Sequence, residues 1–74
     1  MKHVTLHEEI AVVLTARDNR WMTAEEIAHA VNDRGRFRTI YGGPAAAKHV
    51  RARVADRFYR HLFERDGNGI RLAR

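Results

Sequence analysis

Gly42-Gly43-Pro44-Ala45-Ala46-Ala47-Lys48-His49-Val50-Arg51-Ala52-Arg53-Val54-Ala55-Asp56-Arg57 is the run on which the reading of this chain turns. Two glycines allow a sharp entry, Pro44 suits a first helical position because its missing N–H costs nothing there, and three alanines favour helix. The spacing predicts a helix over 44–57. Ala47, Val50 and Val54 fall on one side at 3.6 residues per turn, and Phe58 continues that row if the helix runs so far. Ala45, Lys48, His49, Ala52, Arg53 and Ala55 fall on the other, with Arg51 on the flank. Small residues let such a face approach another surface closely while its long basic side chains reach outward. A solvated basic helix has the same pattern, so the run alone does not fix its use.

Working outward, the run lies in the basic half of a polarised chain. Residues 1–33 hold three Lys and Arg against six Asp and Glu, net −3; residues 34–74 hold eleven against three, net +8, which together make the chain's +5. A basic half of this size attracts polyanions and speeds their encounter, which makes nucleic acid the leading partner. An acidic protein surface is the alternative partner.

Before the run, two starts repeat. Thr5 with Glu8 and Thr23 with Glu26 both have capping-box spacing, in which the hydroxyl takes an unpaired amide of the first turn and the carboxylate reaches back to the cap. Leu6, Ile10, Val13 and Leu14 give the first helix its stripe over 6–17, and Ala24, Ile27, Ala28 and Val31 give the second its stripe to 32 or 33. Asp18-Asn19-Arg20 makes a turn, Trp21-Met22 an apolar step or very short strand, and Gly35 a left-handed end to the second helix. The connector Arg36-Phe37-Arg38-Thr39-Ile40-Tyr41-Gly42-Gly43 is expected to be pinned to the body by Phe37, Ile40 and Tyr41. Arg36 and Arg38 then point to solvent as a phosphate clamp.

After the run, Tyr59, His61 and Phe63 alternate with Arg60, Leu62 and Glu64, Asp66-Gly67-Asn68-Gly69 supplies a hairpin turn, and Ile70 and Leu72 alternate in a returning strand. The expectation is an α+β fold of one domain, 1–74, with three helices followed by a C-terminal β-hairpin.

This order is similar to that of a winged helix-turn-helix domain, over essentially the whole chain. Met22-Thr23-Ala24-Glu25-Glu26-Ile27-Ala28, the aromatic connector ending in Gly43-Pro44, and residues 63–72 carry the likeness. Within the group it resembles the HARE-type winged helices of chromatin-associated factors and of proteins found beside restriction endonucleases, although Gly43 stands where those usually have a hydroxyl residue. The resemblance implies that the third helix enters the major groove, with Lys48, His49, Ala52 and Arg53 toward base edges or groove wall and Arg51 toward phosphate. It implies that the hairpin wing touches backbone through Arg65, Asn68 and Arg71. It further implies a transcriptional regulator or an accessory DNA-binding subunit.

Other classes find little footing in the residues. The chain has no cysteine and no serine, no P-loop, and only one histidine pair, His3 and His7, at metal-ligand spacing, so neither catalysis, cofactor nor metal is expected. Aromatics could serve as base-stacking platforms, Tyr59 or Tyr41 the best candidates, but most of the six are needed for the core of so short a chain. The longest apolar run, residues 10–14, is far too short to span a membrane, and no leader pattern opens the sequence, so a cytoplasmic location is expected. A homodimer would have to use the first helix or the hairpin edge.

Overall fold

In a computed structural model, which describes residues 4–73, both threonine caps form. Thr5 Oγ1 accepts from the Glu8 amide at 3.3 Å while Glu8 Oε1 takes the Thr5 amide at 3.2 Å, opening α1 (Leu6–Ala16). Thr23 and Glu26 repeat the exchange at 3.1 and 2.9 Å to open α2 (Ala24–Arg34). That helix ends on Gly35 at φ 68°, a backbone region that disfavours any Cβ. The α1–α2 turn carries Asp18 and Asn19 at φ 60° and φ 54°, residue types that tolerate this conformation. The short strand between the helices is β1 (Met22–Thr23), one residue later than expected.

The third helix, α3 (Ala47–Ala55), begins three residues after the expected start, and Pro44 is not its first residue. The cause is tertiary. Asn32 near the end of α2 turns its amide to the chain at Ala45, accepting from the Ala45 N–H and donating to the Ala45 C=O, both at 2.9 Å. Held in this way, Ala45 is buried instead of facing outward. Asp56 ends α3, so Phe58 does not extend its apolar row and is exposed. The expected strand over 59–62 is also absent; Arg60–Leu62 form a 3₁₀ turn, and β2 (Phe63–Asp66) starts only at Phe63. A two-residue Gly67-Asn68 loop returns the chain into β3 (Gly69–Leu72).

β3 is the centre of an antiparallel sheet ordered β1-β3-β2, with Met22 opposite Ile70 and Arg65 opposite Ile70 from the other side. The fold is therefore α+β, three helices followed by a small sheet, compatible with a winged-helix-like architecture. Asn19 works at the far end of β3 as Asn32 does at Ala45: its side chain donates to the Leu72 C=O at 3.1 Å and accepts from the Leu72 N–H at 2.7 Å. Two asparagine amides thus stand in for missing strand partners and fix the helical part to the parts that follow it.

The core lies where the three helices and the sheet meet, with Ile10 and Leu14 of α1, Ile27 and Val31 of α2, and Val50 and Val54 of α3 all fully buried. Phe63 and Ile70 close it from the sheet. The buried Glu9 carboxylate is met by Arg34, Nε to Oε1 at 2.7 Å and Nη2 to Oε2 at 3.4 Å. That hydrogen bond raises the Arg34 pKa above its ordinary value, and the pair ties α1 to the last turn of α2. No helix among the described residues is long and apolar enough to cross a membrane.

Candidate nucleic-acid interface

α3 carries too few apolar residues to be buried all round. Val50 and Val54 face the core, while Lys48, Arg51, Ala52 and Ala55 are exposed. Lys48, Arg51, Ala52 and Ala55 are spaced i, i+3, i+4, i+7, the spacing of one helical face. Ala46 has no side-chain acceptor for the first turn, and the helix start is secured from the other direction: the Ala46 N–H donates to His49 Nδ1 at 2.9 Å. The imidazole thereby takes the part that glutamate has in α1 and α2, and the acceptor state of Nδ1 leaves only Nε2 for an outside contact.

Between α3 and the hairpin runs a groove of about 260 Å³, with Arg51 on one wall, Arg65 and Asn68 on the other, and Thr23, Ala24 and Glu25 at one end. Arg51 Nη1 donates to Glu25 Oε2 at 3.1 Å. That hydrogen bond is the main cause holding the Glu25 pKa below the ordinary carboxylate value. Both side chains are more than half exposed, so the pair is weak and its carboxylate can be exchanged for another anion.

Arg71 does not join this groove. Residues directly opposite in a sheet share a face, and neighbours along a strand do not. Arg65 lies opposite Ile70, while Arg71 lies opposite Glu64 on the other face. There its Nε meets Glu64 Oε1 at 2.7 Å and its guanidinium stacks 4.3 Å from the Trp21 ring centroid.

On the other flank of α3, His49, Ala52 and Arg53 line a second groove with Leu6 and Phe37. Arg53 is half-buried: Nη1 lies 3.3 Å from His7 Nδ1 and the guanidinium 5.3 Å from the Tyr59 centroid. His7 itself stacks on Tyr59 at 4.0 Å and 20°, with Nε2 3.3 Å from Thr5 Oγ1. Arg53 thus clasps the first turn of α1 to the segment after α3, a duty that its place in the sequence did not announce. Arg36 and Arg38 flank Phe37 in the chain, and Arg38 Nη1 donates to the Phe37 C=O at 2.9 Å. Of the three residues expected to pin this connector only Phe37 packs on the core; Ile40 and Tyr41 are 93% and 92% exposed.

The structure therefore gathers Lys48, Arg51 and Ala52 on one helix face, with Arg65 and Asn68 across one groove and His49 and Arg53 along the other. Sequence reading missed Glu25 as the partner of Arg51, the two asparagine clamps, and the His7–Tyr59–Arg53 stack. All are contacts across 13 to 53 residues of chain, and no local spacing signals them. His3 lies outside the described residues, and among the described ones no three His, Asp or Glu side chains are grouped to hold a metal ion. Compared with protein-family models, with curated proteins and with solved structures, the chain matches none.

Proposed function

We propose that this protein binds double-stranded DNA as a small winged helix, without catalysis, as a transcriptional regulator or an accessory DNA-binding subunit in the cytoplasm. One observation carries the reading: Arg51, on the exposed face of α3, shares a groove with the hairpin, where Arg65 and Asn68 lie across from it. In this reading α3 enters the major groove, and the small Ala52 lets its backbone come close to the base edges. Lys48 and His49 Nε2 reach the bases or the groove wall. Arg51 exchanges the Glu25 carboxylate for a phosphate. Arg65 and Asn68 hold backbone from the wing, and Arg36 and Arg38 hold it from the connector. Such contacts fix register, and base contacts add preference among sequences. Arg53 and Arg71 take supporting parts, the first bracing α3 and the second bracing the sheet against Trp21.

The test is a duplex titration at several salt concentrations. With about five phosphate contacts, log K falls against log salt with a slope of about −4 to −5. Affinity that vanishes near physiological salt for every member of a random duplex pool overturns the reading. The competing reading, docking on an acidic protein surface, draws on the carboxylates that already occupy Arg51 and Arg71. It requires binding to a carboxylate-rich protein with no duplex affinity.

A further inference from the structure

The least expected feature of the molecule is the tip of the connector. Thr39 N donates to the Gly43 C=O at 2.9 Å, Gly42 N to the Thr39 C=O at 2.8 Å, and Gly43 N to Thr39 Oγ1 at 3.2 Å. Gly42 adopts φ 83°, where a side chain would be strained. This closed turn holds Ile40 and Tyr41 at its two corners, almost fully in water. A chain short of core material has thus placed two of its larger apolar side chains on a braced projection where they add nothing to folding.

The surroundings of the tip are basic. Arg36 and Arg38 precede it, and the groove of about 450 Å³ that it overhangs is continued by His49, Ala52 and Arg53 of α3. Among the described residues the one carboxylate lining that groove, Asp56, is engaged with the Phe58 N–H at 2.8 Å. An apolar point that follows Arg36 and Arg38 in the chain and shares its groove with Arg53 of α3 fits a polyanion that offers apolar surface within it. Stacked bases inside a phosphate backbone have that character.

We propose that the 39–43 turn is an apolar wedge whose Ile40 and Tyr41 side chains enter a base-pair step beside the segment covered by α3, unstacking and unwinding it. The proposal rests on the duplex-binding reading above. Apolar wedges of this kind separate adjacent base pairs and kink the duplex, and the cost of unstacking is offset by the wider contact of the bent DNA.

Relaxation of a closed circular plasmid by a topoisomerase in the presence of the protein tests it. The wild-type protein lowers the linking number in proportion to the amount bound. The Ile40→Ser/Tyr41→Ser variant, whose changes lie outside the core, melts as the wild type does, keeps the salt slope of plasmid binding, and loses most of the linking-number change. Tyr41→Phe retains it. An unchanged linking-number effect in the double variant, or a wild-type protein that binds plasmid without any effect, overturns the wedge while leaving duplex binding in place. Absence of plasmid binding by the wild type overturns both readings together. A wild-type dimer that the double variant converts to monomer in sedimentation assigns the tip to self-association and also overturns the wedge.

Discussion

α1 and α2 begin on their own resources; α3 begins on borrowed ones. Each of the first two has a threonine cap, a glutamate three residues on, and a second acidic residue in the first turn, which suits the positive end of the helix dipole. α3 starts at an alanine, has no acid in its first turn, and relies on the His49 imidazole and on an extended approach fixed by Asn32. It is also the shortest of the three, with two buried residues against five in each of the others. The difference teaches where the molecule keeps its stability and where it keeps its chemistry. Carboxylates that would cap α3 in the usual way would also cancel the positive charge its face presents.

The largest effect should come from breaking the stable side of this contrast. Ile27 of α2 is fully buried, and Ile27→Ala is expected to cost about 2–5 kcal/mol in a urea melt, against a total of roughly 4–11 kcal/mol for a domain of this length. Thr23→Ala removes the α2 cap and should cost about 1 kcal/mol, lowering Tm by roughly 4–8 °C. The same logic runs in reverse at α3. Ala46→Ser gives that helix the cap it lacks and should raise stability by about 0.5–1 kcal/mol; a loss in thermal melts would show that the His49 arrangement already fills the site.

Acid sharpens the contrast further. Hydrogen bonds from the backbone and hydroxyl of Thr23 hold the Glu26 pKa below its ordinary value of 4.5. A carboxylate depressed in the folded state contributes stability that is fully present above the unfolded value and is lost as pH falls through the folded one. Melts taken from about pH 6 downward should therefore stay flat to about 4.5 and then decline, and Glu26→Gln should reduce that decline. The smallest effect on stability is expected from Glu25→Gln, since its pair with Arg51 is exposed. Its effect belongs to the other side of the comparison: freed of the carboxylate, Arg51 should bind duplex severalfold more tightly at low salt, and an unchanged affinity would remove Arg51 from the contact set.

Legibility follows the same division. Thr5, Glu8, Thr23, Glu26 and Gly35 act on backbone groups within four residues of themselves, so their spacing was enough to place α1 and α2 to within about a residue. The hairpin was legible for a like reason, because Gly67-Asn68 acts within a four-residue turn. Pro44 misled because its local preference for a helix start met the Asn32 amide, which arrives from 13 residues away and takes both backbone groups of Ala45. Ile40 and Tyr41 misled because an apolar residue in a loop reads the same whether it faces the core or water.

The sequence by itself settled the α+β order of elements, the two capped helices and the excess of positive charge after residue 33, since each depends on neighbours in the chain or on composition alone. The tertiary structure decided where α3 begins, which guanidinium is engaged by a carboxylate or a ring, and which face of the hairpin each arginine occupies. Those outcomes hang on strand register and on hydrogen bonds between distant residues, and such partners exist only after the chain has closed on itself.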